Sequence, residues 1–229
     1  LGISVELGTY SIKFISYHID KKQTRLLSTD EILIEHHANQ EVDHQDFDIW
    51  REQISLLKDY LDKIGTEHQV MMNIPSQIVT TRYIELPVKS KKKAIQMVPF
   101  QIEEDLPYSI NECIHAETLE VEGEHTKSMI GIVKKIHFLH FFELLQEFNI
   151  SPQVLTCDAS NYAQLIKNKK DQYPSSFCIL NFGHETTRGF YFHNGELVSN
   201  HQSYLAGDTI TQAISKNYNI DLIRMKFIF

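Results

Sequence analysis

The stretch CILNFGHETTRGFYFHNGEL, residues 178–197, decides the fold of this chain. An apolar strand runs into Asn-Phe-Gly-His-Glu-Thr-Thr, a second strand follows, and Asn194-Gly195 turns the chain into a third strand. A turn made of glycine and small residues leaves backbone N–H groups free to face phosphate oxygens. The same composition is also typical of an ordinary hairpin, so both interpretations stay open for this turn alone.

A second turn of the same kind lies near the start of the chain, in ELGTYSIK at residues 6–13. Small, hydroxyl or basic side chains that could contact a phosphate occur in both turns. They are Gly8, Thr9, Ser11 and Lys13 in the first turn and Gly183, Thr186 and Thr187 in the second. Two such turns, each between strands and far apart in the sequence, are more specific than either one alone.

The composition is that of an ordinary soluble globular protein. The 229 residues are 42% hydrophobic and 23% charged, and the formal net charge is −8. A general nucleic-acid binder needs surplus lysine and arginine, so this charge argues against that class. Three well-separated cysteines fit a reducing compartment. The sequence contains no signal peptide and no apolar run long enough to cross a bilayer.

The ends of the sequence differ from those of a typical complete protein. It begins at Leu1 directly before a strand, and it ends in the apolar residues IRMKFIF, 223–229. We therefore expect further sequence at the C-terminal side, where a membrane anchor would have its place.

Hydrophobic periodicity predicts alternating groups of strands and helices. Residues 46–65 form the clearest amphipathic helix, and Gly65 ends it. Pro99 is expected to end or kink the helix that starts near Ser90, and Asp208 is a candidate N-cap of the last helix. The order of strands, helix, strands and helix recurs in two rough halves. It predicts an α/β or α+β protein in which antiparallel hairpins feed a mixed sheet.

Histidine spacing does not predict a metal site. His137 and His140 are three residues apart, but they lie in a helix rich in phenylalanine and leucine, and His36-His37 have no partner at ligand spacing. The acidic run at 103–105 is interpreted as a solvated helix surface.

Six motifs, in order, resemble the PilM/GspL group of actin-like cytoplasmic proteins of type IV pilus assembly and type II secretion. The motifs are ISVELGTYSIKFI, NIPSQIVTTRYIELP, IEEDLPYSINE, FNISPQVLTCDASNYAQL, LNFGHETTRGFYFHNGEL and LAGDTITQAI. The resemblance implies an actin-like ATPase (ribonuclease H-like) fold with two related halves and mixed sheets. Residues 1–173 would form the first half, with an inserted subdomain at about 76–127, and residues 174–229 would form an incomplete second half.

The resemblance also implies a nucleotide site for ATP and Mg²⁺ between the two turns. It adds Glu6, Asn181, Gly207 and Asp208 to the residues expected to line that site. The family usually has aspartate at the positions of Glu6 and Asn181, where the carboxylates help to hold Mg²⁺. Asn181 has no charge to offset a divalent cation, and Glu6 is one methylene longer.

A third departure is Ala206, which places a methyl group where the family has a glycine. Together the three departures predict weak or lost ATP binding and no residue in a catalytic role.

The function implied by the resemblance is a scaffold rather than an enzyme. Such a protein lies in the cytoplasm against the bacterial inner membrane. It docks the cytoplasmic segment of a single-pass inner-membrane protein and contacts the assembly or secretion ATPase machinery. An extended peptide would lie in a groove beside the inserted subdomain. An active actin-like ATPase and a filament-forming protein are the alternatives.

Overall fold

The computed structural model describes residues 1–21, 23–34, 47–65 and 68–220, and these contain eleven strands and five α-helices. The strands are β1 (Gly2–Leu7), β2 (Ser11–Asp20), β3 (Gln23–Leu33), β4 (Gln69–Asn73), β5 (Thr80–Leu86), β6 (Cys113–Glu122), β7 (His125–Lys134), β8 (Val154–Thr156), β9 (Ser176–Phe182), β10 (Thr187–His193) and β11 (Glu196–Ser203). The helices are α1 (Phe47–Ile64), α2 (Lys91–Glu103), α3 (Lys135–Glu147), α4 (Asp158–Lys167) and α5 (Gly207–Tyr218).

A five-stranded mixed sheet forms the centre of the first half, in the order β3-β2-β1-β4-β8. The first three strands are antiparallel, whereas β4 and β8 run parallel to β1. Parallel neighbours need a crossover connection, and α1 provides it between β3 and β4. The apolar stripe of α1 packs with α3 on this sheet, where Ile54, Leu57 and Phe141 are fully buried.

The second half repeats the start of the first. Strands β9, β10 and β11 form an antiparallel sheet, and α5 follows them as α1 follows β3. Asn194 and Gly195 turn β10 into β11 with φ values of 50° and 81°, which only glycine and asparagine adopt readily. Helix α4 begins just after β8 and packs on this second sheet, where Ile166 lies with Phe190 and Phe192. The predicted order of strands and helices is confirmed.

A separate sheet, β5-β7-β6, lies between β4 and α3 in the chain, at the place expected for the inserted subdomain. This region has its own core between the sheet and α2, in which Leu86, Val98 and Ile130 are fully buried. The predicted end of this subdomain at about residue 127 falls inside β7, because that strand continues to Lys134.

The predicted end of α2 at Pro99 and the predicted N-cap of α5 at Asp208 are wrong, whereas a kink at Pro99 stays a prediction. Helix α2 continues through Pro99 to Glu103, because Val98 and Ile102 on either side of the proline are buried in the subdomain core. The free energy gained by burying these side chains offsets the loss of the backbone hydrogen bond that a proline cannot make. Helix α5 begins at Gly207 with Ala206 as its N-cap, so Asp208 lies in the first turn, where it accepts a hydrogen bond from Gln212.

Two longer stretches of the sequence lie where the structure describes no residues. The pair His36-His37 and the apolar ending at 223–229 lie outside the described residues. No helix in the described part of the chain has both the length and the apolar character that a membrane span needs.

Candidate functional site

Both small-residue turns open into one cavity of about 450 Å³ between the two halves. The residues predicted to line a nucleotide site are found there with a single exception. They are Glu6, Gly8, Thr9, Ser11, Lys13, Asn181, Gly183, Thr186, Gly207 and Asp208. Thr187 is the exception, because its hydroxyl donates to the carbonyl of Leu205 at 2.7 Å and braces the loop before α5.

The two turns have the same backbone construction. Gly8 N–H donates to the Ser11 carbonyl at 3.1 Å, and Gly183 N–H donates to the Thr186 carbonyl at 3.0 Å. A Cβ atom would lie 2.8 Å from the carbonyl oxygen in the first turn and 2.7 Å from it in the second. Both turns are therefore too tight for any residue other than glycine.

The two turns face each other across the cavity, and the start of α5 holds the second turn in place. The rings of Tyr10 and His184 lie 5.2 Å apart, one from each turn. The first two N–H groups of α5, from Gly207 and Asp208, donate to the carbonyls of Gly183 and His184 at 3.0 and 2.8 Å. These helix N–H groups, which often bind anions, are therefore occupied by the second turn.

The first turn is supported by two side chains that the sequence analysis did not single out. Asn73, at the end of β4, accepts a hydrogen bond from Leu7 N–H at 2.8 Å. Gln53, on α1, donates to the carbonyl of Gly8 at 2.8 Å. The turn is thus fixed by the sheet on one side and by the crossover helix on the other.

Each hairpin carries a basic residue at the same distance from its glycine. Lys13 lies opposite Glu6 in the β1–β2 register, and Arg188 lies opposite Asn181 in the β9–β10 register. Lys13 Nζ is 3.8 Å from Glu6 Oε2, and both side chains are more than half exposed. An exposed pair of this kind contributes little to stability.

Arg188 makes a different and buried set of contacts. Its Nη1 donates to Asp158 Oδ2 at 2.8 Å, and its Nε and Nη2 both donate to Gln202 Oε1. The Arg188 and Asp158 side chains are only 9% and 17% exposed. Burial raises the pKa of the Asp158 carboxyl although Arg188 opposes the shift, and burial lowers the pKa of Arg188.

Arg188 and Asp158 line the cavity, yet sequence reasoning did not select them. When the two turns are aligned in sequence at Gly8 and Gly183, Arg188 falls at the position of Lys13. Asp158 stands in TCDASN, a stretch that the sequence marks only as the junction of a strand and a helix.

The cavity lining is rich in acidic side chains. Its acidic side chains outnumber its lysine and arginine side chains: they are Glu6, Glu31, Asp158, Glu185 and Asp208, against Lys13 and Arg188. Both of these cations are paired with carboxylates. Within the described residues, no group of three or more histidine, cysteine, aspartate or glutamate side chains could hold a metal ion. Ala206 is fully buried and is not among the residues that line the cavity.

Comparisons with known proteins agree on the family and the fold. The family model described as Type II secretion system (T2SS), protein L matches residues 28–162, which is more than half of the chain. No curated protein sequence matches the chain.

Solved structures are similar over nearly the whole chain. One comes from a PilM-PilN type IV pilus biogenesis complex; it is 18% identical with a TM-score of 0.78, over 99% of this chain and 68% of that chain. The cytoplasmic domain of EpsL, an inner-membrane component of the type II secretion system of Vibrio cholerae, is 11% identical with a TM-score of 0.53, over 93% and 72%.

A Bacteroides thetaiotaomicron protein with an actin-like ATPase fold is 12% identical with a TM-score of 0.53, over 95% and 76%. At these identities the likeness concerns the fold, and it confirms the actin-like ATPase fold expected from the sequence.

Proposed function

Because the chain belongs to the type II secretion system protein L family, we propose that it is an actin-like scaffold of an inner-membrane secretion or pilus platform. It docks the cytoplasmic segment of a single-pass membrane protein and contacts the secretion or assembly ATPase machinery from the cytoplasmic side. The observation that carries this proposal is the family match, which extends across the inserted subdomain and into α4. ATP binding is weak or lost in this scaffold.

The outer face of α3 is the docking surface for the partner segment. Three apolar side chains three residues apart are exposed there: Ile136 at 67%, Leu139 at 50% and Phe142 at 39%. Helix α3 follows β7 directly, and Lys135 Nζ donates to the carbonyl of Asn111 in the inserted subdomain at 2.6 Å. The start of the apolar stripe therefore lies next to that subdomain, where the sequence predicts a peptide groove.

Charge favours a partner of this kind. Cytoplasmic segments next to a membrane span are enriched in lysine and arginine. This chain has a formal net charge of −8, so it attracts such a segment toward its surface. Apolar side chains of the segment then bury the stripe on α3, and this burial supplies the affinity.

Weak or lost ATP binding is supported by the electrostatics of the cavity. The phosphates of ATP are anionic, and the excess of carboxylates in the lining repels them. Arg188 is held by the buried Asp158 and would have to leave it to reach a phosphate, and Lys13 has the carboxylate of Glu6 beside it. Asn181 supplies no charge for a cation that could bridge protein and nucleotide.

The second candidate function is an active ATPase. It is favoured by one observation, which is that two glycine turns of identical construction face each other across a single cavity. Mg²⁺-dependent hydrolysis that disappears in Lys13→Ala would support this candidate over the scaffold.

Substituting Leu139 by glutamate is expected to weaken peptide docking by about tenfold or more, because a charge replaces a buried apolar contact. Calorimetric titration with the cytoplasmic peptide of the membrane partner measures the change. Leu165→Glu is the matched control, since Leu165 is also a helical leucine, is 44% exposed and lies on α4. Equal losses in both variants would refute the α3 surface. Absence of binding by the wild-type chain at high micromolar concentration would refute the scaffold.

A further inference from the structure

We infer that the buried ion pair of Arg188 with Asp158 maintains the shape of the cavity by fixing the junction of β8 and α4 to the second hairpin. This ion pair holds the five-stranded sheet and the second hairpin together around the cavity without metal or nucleotide. The inference concerns the cleft alone and does not depend on docking at α3.

The two hairpins of the internal repeat differ in the partner of their basic residue. Lys13 and Arg188 each stand five residues after the glycine of their turn and face the residue two before it. In the first hairpin that facing residue is Glu6, and the ion pair stays within the hairpin. In the second hairpin the facing residue is Asn181, which has no charge to hold a guanidinium. Arg188 therefore pairs with Asp158, which lies outside its own hairpin.

The position of Asp158 makes this pair a link between two sheets. Asp158 stands two residues after Thr156, the last residue of β8 in the five-stranded sheet, and it opens α4. A carboxylate in the first turn of a helix is also stabilised by the helix dipole. Arg188 lies in β10 of the second sheet, and Gln202 in β11 fixes the other side of its guanidinium. The contact thus joins the junction of β8 and α4, next to the edge of one sheet, to the central strand of the other.

The burial of the pair explains why it can maintain the cleft. Arg188 is 8% exposed as a whole residue, whereas the Lys13–Glu6 pair is open to solvent. Removing one member of a buried pair leaves an uncompensated charge, which is far more costly than losing an exposed pair. The two basic residues of the repeat therefore differ in role: Lys13 is dispensable for the cleft and Arg188 is required.

Asn181→Asp tests the inference because it offers Arg188 a carboxylate within its own hairpin. We expect hydrogen exchange of the backbone at residues 154–166 to become faster by about threefold or more, since the link between the sheets is weakened. Arg188→Gln removes the ion pair altogether and therefore gives the largest increase in exchange expected for this segment. Asn181→Leu, which has a similar shape and no charge, is expected to leave exchange in this segment unchanged.

Helix α2 serves as an internal reference, because its buried residues pack in the core of the inserted sheet and not with α4 or β10. Exchange there must stay at the wild-type level for a variant to count as folded. If Asn181→Asp leaves exchange at 154–166 unchanged, or if Asn181→Leu accelerates it equally, the inference is overturned. Neither result bears on the peptide titration, so the failure of this inference and the failure of the scaffold are separate outcomes.

Discussion

Replacing Arg188 by glutamine is expected to lower the free energy of unfolding by about 3 to 5 kcal/mol. The reason is that Asp158, with a side chain only 17% exposed, would lose the guanidinium that offsets its burial. Urea denaturation at about pH 7 measures the loss. Lys13→Gln is the matched control at the equivalent position of the first hairpin. Because its ion pair is exposed, the expected loss there is below about 1 kcal/mol. Similar losses in the two variants would contradict the difference in role.

The deficit of the Arg188→Gln variant should depend on pH. Burial already raises the pKa of the Asp158 carboxyl, and without Arg188 the opposing effect is removed. For an acid whose pKa is higher in the folded state, stability falls as pH rises from the unfolded-state pKa, about 3.9, toward the folded-state pKa. The deficit is therefore expected to be smallest near about pH 4 and largest at neutral pH. A deficit that stays constant over this range would show that Asp158 is not its source.

Replacing Gly183 by alanine is expected to cost about 1 to 3 kcal/mol. The added Cβ would lie 2.7 Å from the carbonyl oxygen of Thr186, which is backbone and cannot rotate away. The Gly183 carbonyl also accepts the N–H of Gly207, so a shift of the turn disturbs the start of α5. Thermal and urea unfolding measure the loss, and Gly8→Ala is expected to behave similarly because its turn has the same construction.

Gly131→Ala in β7 is the control for the added methyl group. Its Cβ would have no neighbour nearer than 3.9 Å, so its stability should stay close to wild type. If Gly131→Ala and Gly183→Ala lose the same amount, the tightness of the turn does not explain the effect.

The features that sequence predicts well here are those set by local periodicity and turn chemistry. Helix α1 is visible because its apolar residues recur every three or four positions over 18 residues. The β10–β11 hairpin is visible because Asn194-Gly195 is the preferred two-residue turn. The common cavity also follows from sequence, but only through the ordered motifs of a known family, since no local pattern brings Gly8 and Gly183 together.

The features that sequence misses depend on tertiary packing. Pro99 stays inside α2 because burial of its neighbours outweighs its local preference. Arg188 pairs with Asp158, thirty residues away in the chain, and nothing in the local sequence distinguishes it from an exposed arginine on a strand. The comparison of the two hairpins would have marked its position, but not its partner.

The central claim is that the cleft has the two glycine turns of a phosphate site but lacks the charges that hold a metal-bound nucleotide. Calorimetric titration of the chain with ATP and Mg²⁺ tests this claim most directly. We expect no saturable binding up to about 1 mM, with or without Mg²⁺. Saturable binding at micromolar concentration that requires Mg²⁺ would contradict it.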